Sequence, residues 1–415
     1  MVTECQSQNF LTSDQTPNLN PIMRIIVKKF GGTSVGNIER IRTIAHEIAR
    51  TKQPDDQIVI VVSAMAKTTD DLFKLAYEIA EHPSRRELDM LLTAGERISM
   101  SLLSLALHEE GLPSISFTGS QSGILTDNKH GNARILNVRA FRIKEELATG
   151  KIVIVAGFQG VSMNKEITTL GRGGSDTTAV ALASYLQADK CEIYTDVDGV
   201  YTADPRIVEN PRKLKSVSYQ VMLALANDGS RVLHPRSVEF ACAYKIPVEI
   251  KSSFTFDEGT YITEDMNMEE RGITAIAHKE NLTRSHLRFS SQKQLIDFLT
   301  QLGFDIFNYQ VLDDREMYIS IEEKYQHDFQ KLLTESGVEI LSVESKLGSV
   351  SIVGVGINYD LEFVASVIKT MDDLHAEIRL LQRNDLGLVL LIPTDKVREA
   401  VNVLHERLMS ENLFL

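Results

Sequence analysis

Residues 24–34 read Arg-Ile-Ile-Val-Lys-Lys-Phe-Gly-Gly-Thr-Ser, an apolar β-branched run that closes on Lys29, a glycine pair and two hydroxyl residues. Directly after it, Ile38, Ile41, Ala45 and Ile48 step by three and four, the spacing that lays one helix face on a core. The same strand-then-helix unit recurs outward from here. Strand-like runs at 25–27, 58–62, 114–118, 152–156, 192–195 and 247–250 alternate with helical segments, one of them through Leu102, Leu103, Ala106 and Leu107. Such alternation predicts an α/β fold of three αβα layers, with a mainly parallel sheet covered by helices on both faces.

The chain has 415 residues, enough for two or three domains. Its formal charge of −13 argues against nucleic acid and membrane surfaces as partners, so an anionic substrate must meet a local basic pocket. Cys5, Cys191 and Cys242 are widely spaced and form no CxxC pair, which disfavours disulfides and structural zinc and points to the cytoplasm. The apolar runs are strand-length, well short of the roughly 20 residues of a membrane span. Residues 1–22 are polar and lack the plan of a signal peptide, so they read as a flexible tail, and either Met1 or Met23 can open the working chain. The polar, acidic stretch 256–272 breaks the alternation and reads as a linker after a domain at 23–255. Beyond it, runs at 273–277, 287–289, 317–321, 350–355, 378–381 and 386–392 read as strands. Helices are expected at 295–302, 325–336, 361–371 and 396–408, an inventory that suits two βαββαβ units.

Three segments carry chemistry. In the first turn, Gly31 and Gly32 let backbone N–H groups approach a phosphate, Lys29 adds a point charge and a helix follows; a plain packing turn is the competing reading. Neither a Walker nor a dinucleotide pattern is present. The second, Gly171-Arg172-Gly173-Gly174-Ser175-Asp176-Thr177-Thr178, opens a helix that Ser175 or Asp176 can cap, but capping leaves Arg172 unexplained. Arginine among glycines suits a carboxylate or phosphate, and Asp176 suits an ammonium. In the third, from Thr195 and Asp196 through Asp198, Tyr201 and Asp204 to Arg206, a strand runs into a loop rich in hydrogen-bonding groups that suits a base and ribose. Its acids lack EF-hand spacing, so no metal-binding residues are assigned. Glu96, in Gly95-Glu96-Arg97, is a lone carboxylate for a substrate amine or a solvated acid at a helix start.

Together with Ser63-Ala64-Met65, Thr68-Thr69-Asp70, Thr93-Ala94-Gly95-Glu96, His130-Gly131-Asn132-Ala133-Arg134, Gly157-Phe158-Gln159-Gly160 and Leu233-His234-Pro235-Arg236, these segments resemble the aspartokinase family of the amino-acid-kinase fold across nearly all of 24–255. The tail 273–415 resembles, more loosely, a pair of ACT domains, the first (about 283–345) inserted into the second. The resemblance implies transfer of the ATP γ-phosphoryl group to the side chain of L-aspartate, giving 4-phospho-L-aspartate on the way to lysine, threonine and methionine. It implies Lys29, Arg172 and Asp176 as the catalytic set. ATP would meet Lys29, Gly31, Gly32, Ser34, Ser175, Thr195, Asp196, Tyr201, Arg206 and Arg231, with Mg²⁺ held mainly through the phosphates. Aspartate would meet Ser63, Thr69, Glu96, Arg172, Gly173, Gly174 and Ser175.

The residue set agrees with that chemistry independently: a carboxylate nucleophile, with a pKa of about 4, is already ionised at neutral pH and needs no general base. The histidines, including His130 and His234, accordingly read as structural. Rival readings are a glutamate, acetylglutamate or nucleoside monophosphate kinase of the same fold, and an idle amino-acid sensor. Ala66 stands where the family commonly has glycine, and Arg231 where it often has lysine. The ACT-like units imply a homodimer or larger homo-oligomer. Their turns, 289–294 without glycine or proline and 356–361 with bulky Tyr359 and Leu361, imply feedback control that is weak, absent or directed at an unusual ligand.

Overall fold

The computed structural model describes residues 24–230, 232–264, 272–357 and 360–410. The expected tail, Met23, Cys5, Arg231, Tyr359 and part of the expected linker lie outside the described residues.

The chain opens with β1 (Arg24–Phe30), α1 (Ile38–Thr51), β2 (Asp56–Val62), α2 (Thr68–Ile79), α3 (Arg85–Leu92), α4 (Ala94–Glu109) and β3 (Ser114–Phe117). It continues through β4 (Ile124–Thr126), β5 (Ile135–Val138), α5 (Phe141–Ala148), β6 (Ile152–Ala156), β7 (Gln159–Ser162), β8 (Ile167–Thr169) and α6 (Gly174–Leu186). Then come β9 (Lys190–Thr195), β10 (Ser216–Ser218), α7 (Tyr219–Asp228), α8 (Pro235–Tyr244), β11 (Val248–Ser252) and β12 (Thr260–Thr263). Eight of these strands form one sheet, β10-β12-β11-β9-β1-β2-β6-β3, parallel except where β11 meets β12. On one face α1 and α4 press Ile41, Ile44, Ile48, Leu103 and Leu107 onto Ile58, Ile60 and Ile154. On the other, Ala179, Leu182, Val221, Leu225 and Val238 of α6, α7 and α8 pack on Val59, Val61 and Val153. Three αβα layers result, as the alternation predicts.

Several local expectations are corrected. Ile38, expected inward, is exposed, and Ile44 takes the core position. The stretch read as a linker contributes β12, which joins β11 and β10 and carries the catalytic sheet to Thr263. A second sheet, β5-β4-β7-β8, was illegible because its strands are only three or four residues long. By length and composition the helical run Arg85–Glu109 could cross a membrane. Here Leu92, Leu103 and Leu107 are buried in the fold, and so is the carboxylate of Glu96.

The remainder comprises β13 (Gly272–Arg288), α9 (Gln292–Gln301), β14 (Asn308–Val311), β15 (Glu316–Glu322), α10 (Gln326–Ser336) and β16 (Glu339–Val355). It ends with α11 (Leu361–Asp373), β17 (Leu380–Asn384), β18 (Gly387–Pro393) and α12 (Thr394–Ser410). A six-stranded antiparallel sheet, β14-β15-β13-β16-β18-β17, unites them. The runs expected as separate strands at 273–277 and 287–289 belong to one 17-residue strand, β13. The polar break between them is a bulge, with a register shift from Lys279 to Leu282 and Asn281 at φ +59°. The outer half of β13 packs with α9 and α10 around Leu287, Phe298 and Phe329, and the inner half with α11 and α12 around Ile276, Val367 and Val401. At the start of α9 the turn donors are already satisfied: Ser290 N–H and hydroxyl both donate to Gln294 Oε1, at 2.7 and 2.9 Å.

Candidate active site

β1 pairs with β2 on one side and β9 on the other, so the sheet grows away from β1 in both directions. Open α/β sheets bind ligands at the carboxyl end of such a switch point. There Gly31 N–H donates to Tyr194 O at 3.1 Å, and the Ser34 hydroxyl points at the same carbonyl. Asn37 caps α1 by accepting from Arg40 N–H at 2.9 Å, so the 31–34 turn is a separate feature with its own backbone groups. A Cβ on Gly32 would sit 3.0 Å from Ala64 O, and one on Gly31 would lie 3.5 Å from Lys29 Nζ. Gly32 thus lets the turn pass close to Ala64, and the lysine tip folds back beside Gly31. The Lys29 ammonium, nearly buried, meets Asp176 Oδ1 at 2.6 Å.

Asp176 comes from the second glycine turn. Gly173, at φ +66°, is the N-cap of α6, and no side chain caps that helix. Ser175 and Asp176 lie inside its first turn, which corrects the capping reading. Gly173 cannot be replaced freely, because a Cβ would stand 2.2 Å from His234 Cβ. Arg172 is exposed and has no ion-pair partner among the described residues. Ser175 is buried against Gly157 at the end of β6, where a Cβ would lie 2.7 Å from its hydroxyl. Gly174 N–H donates back to Gly171 O at 3.1 Å, and capping by glycine alone leaves the next N–H groups of α6, those of Ser175 and Asp176, available to an anion.

Glu96 is not a solvated acid. It is 3% exposed at the start of α4, drawn in because Gly95 allows contact with Ala64. Its Oε1 accepts from Ala64 N–H at 3.1 Å, while Oε2 is buried with no hydrogen-bond partner. Burial pushes its pKa up to about 7 against the lowering effect of backbone N–H donation. Ser63 continues β2, donating its N–H to Phe30 O at 3.1 Å, and Thr69 lies in the first turn of α2. Ala66 sits at φ +43°, a left-handed conformation that costs an L-residue about 1–2 kcal/mol and suits the glycine more usual there.

The third segment leaves β9 beside the first turn. Thr195 hydroxyl donates to Asp196 at 3.0 Å, and Tyr201 hydroxyl to Asp198 at 2.9 Å. Arg206 is not free: it pairs with Asp204 at 2.7 Å, which raises its own pKa and lowers that of the acid. Among the described residues no group of three or more His, Cys, Asp or Glu side chains could hold a metal ion.

Two supports escaped the sequence reading of site residues. Asp89, fully buried on α3, accepts from Gly131 N–H at 3.1 Å and Thr169 hydroxyl at 2.5 Å and lies 2.7 Å from His130 Nδ1. Arg236 donates to Leu170 O at 2.9 Å and Ala133 O at 2.7 Å, bracing the approach to Gly171. His234 packs on Gly173 and accepts from Arg236 N–H. The structural reading of both histidines agrees with these contacts.

Residues 24–252 match the amino acid kinase family. The aspartokinase of Geobacillus stearothermophilus is 45% identical over 395 residues, covering 92% of this chain and 97% of that protein. The chain belongs to the aspartokinase family. Aspartokinase 2 of Bacillus subtilis (strain 168) is 42% identical over 92% of this chain and 97% of its own. The fold is that of E. coli aspartokinase III in complex with aspartate and ADP (R-state), at TM-score 0.81 and 23% identity over 93% of this chain and all of that one.

Proposed function

We infer that this aspartokinase-family chain transfers the γ-phosphoryl group of ATP to the side-chain carboxylate of L-aspartate, through the groups gathered at the β1/β9 switch point. The observation that carries it is the Lys29–Asp176 pair at the end of β1, with Ala64 just past the neighbouring end of β2 holding a carboxylate, Glu96, whose second oxygen is buried and orphaned. Gly31, Gly32 and Ser34 line the β- and γ-phosphates, with Lys29 as their counter-charge. Thr195, Asp196 and Tyr201 flank the nucleotide, with Arg206 held by Asp204 at its rim. Arg172 takes the α-carboxylate of aspartate and Glu96 the ammonium, while Ser63, Thr69, Gly173, Gly174 and Ser175 complete that pocket. The attacking carboxylate needs no base; it needs alignment and neutralisation of charge on the moving phosphoryl group, which Lys29 and the uncapped N–H groups of α6 supply. Mg²⁺ would be held mainly through the phosphates and would supply further neutralisation. A coupled assay with L-aspartate, L-glutamate, N-acetylglutamate and a nucleoside monophosphate tests the assignment. Turnover confined to L-aspartate is expected, and a preference for any other acceptor contradicts it. Free thiols at Cys191 and Cys242 suit a reducing cytoplasm.

Glu96 makes aspartate binding pH-dependent. With a pKa near 7 it is mostly protonated at pH 6 and ionised at pH 8, and only the ionised form pairs with the substrate ammonium. The aspartate KM therefore falls about tenfold from pH 6 to pH 8, following the ionised fraction of one group. Glu96→Gln gives a high, flat profile. A flat profile in the unaltered protein removes Glu96 from the ammonium site.

The six-stranded sheet ends in edge strands β14 and β17, and Tyr309 and Val311 on β14 are exposed. Bare edges invite pairing with a second copy. A homodimer or larger homo-oligomer is expected by light scattering at micromolar concentration, and a sharp monomer mass refutes it. Gln294 occupies the turn donors at Ser290 that a free amino acid would need, which supports weak feedback. Half-inhibition by lysine, threonine, methionine or diaminopimelate below about 1 mM, the upper end of metabolite-scale affinities, contradicts this.

A further inference from the structure

Thr202, seven residues past the end of β9, ties the catalytic domain to the far end of the chain. Its N–H donates to Arg212 O at 2.9 Å, and its carbonyl accepts from Ile276 N–H on β13 at 2.8 Å. Its hydroxyl oxygen accepts from Arg212 N–H at 3.0 Å and lies 2.9 Å from His405 Nε2 on α12. Both side chains are buried. With one lone pair of Oγ1 taken by Arg212, the hydroxyl still has a proton and a second lone pair for Nε2, so either tautomer of a neutral imidazole closes the bond. Burial, helped by the positive charge of Arg212, lowers the His405 pKa and favours the neutral ring. The neighbouring Ala203 and Val208 lie in the core of the C-terminal unit, with Phe363, Ala400 and Leu404. A piece of the nucleotide loop is thus folded into the regulatory core.

We propose that Thr202 and His405 are positioning residues for the nucleotide, their hydrogen bond holding the 196–206 loop in its binding shape so that ATP affinity depends on a side chain of the last helix. The proposal rests on the reading that this loop contacts ATP. A loop already ordered pays no ordering cost when the nucleotide arrives, whereas one cut loose does. Removing His405 takes one of the two partners of the buried hydroxyl, and removing the hydroxyl strands both His405 Nε2 and Arg212 N–H.

The test is steady-state KM for ATP and for aspartate in Thr202→Val, Thr202→Ser, His405→Ala and the Thr202→Val/His405→Ala double variant. Thr370→Val is the control, since it removes the acceptor of the Arg407 bond that joins α12 to α11 without touching Thr202. Thr202→Val and His405→Ala are each expected to raise the ATP KM about tenfold, the equivalent of roughly 1.4 kcal/mol, with the aspartate KM unchanged. The double variant should go no further than Thr202→Val, which already removes the bond to His405. Thr202→Ser and Thr370→Val should keep the original value. Should Thr202→Val fail to fold, His405→Ala alone decides. Folded variants with an ATP KM within about twofold of the parent, an equal rise in aspartate KM, or an equal effect of Thr370→Val overturn the proposal. Tyr201→Ala separates the two layers: an ATP KM indifferent to it refutes the nucleotide reading and the proposal together. A response to Tyr201→Ala but not to His405→Ala overturns the positioning role alone.

Discussion

Replacing Lys29 by alanine is expected to cut kcat by at least about 100-fold while the protein stays folded, by analogy with loss of one preorganised electrostatic group. The side chain sits 10% exposed over the 31–34 turn, held by Asp176 at 2.6 Å. Water cannot replace it as a preorganised charge, because it would have to reorient as the phosphoryl group moves. The loss should appear in kcat rather than in the KM for aspartate, since the charge it balances develops during transfer. Asp176 is left without its counter-ion, so a modest fall in melting temperature accompanies the change. Near-normal kcat with an unchanged circular dichroism spectrum refutes the assignment.

Arg172→Ala is expected to act on the other term, raising the aspartate KM about 10- to 100-fold with a smaller change in kcat. A hydrogen bond to a charged group is worth roughly 1.5–3 kcal/mol, and each 1.4 kcal/mol is about a factor of ten. The guanidinium spends none of this on the protein, because it has no ion-pair partner among the described residues. Arg172→Lys should recover only part of the affinity, keeping the charge but losing the two-pronged grip. An aspartate KM unmoved by either variant takes Arg172 out of the site.

What the sequence made legible follows from how far apart the cooperating residues lie. Lys29, Gly31 and Gly32 declare themselves because strand, turn and helix are contiguous, and Arg172 stands out because glycines surround it. The parallel sheet was readable from its apolar runs, and the two C-terminal units from their helices. The bulge in β13 was not, since a polar break looks the same whether a strand ends or merely kinks. Nor could spacing reveal Asp89, which braces the Gly131 turn and Thr169, or the bond from Thr202 to His405, 203 residues away. Such contacts exist only once the sheet has brought its strand ends together. Glu96 was visible as an acid, but its orphaned oxygen depends on Gly95 meeting Ala64, and burial decides its charge. The Asp204–Arg206 pair went unread for the opposite reason: its partners stand only two residues apart, where exposed ion pairs are cheap to form and easy to overlook.

The central claim is that an acyl phosphate forms on the aspartate side chain at this site. Incubating the protein with ATP, Mg²⁺, L-aspartate and hydroxylamine, then identifying the trapped product by mass spectrometry, tests it most directly, because hydroxylamine attacks the activated carbonyl and releases phosphate. The side-chain hydroxamate of aspartate is expected in step with ADP, absent from Lys29→Ala and absent when L-glutamate replaces L-aspartate. ADP released without hydroxamate, or a glutamate hydroxamate formed as readily, contradicts it.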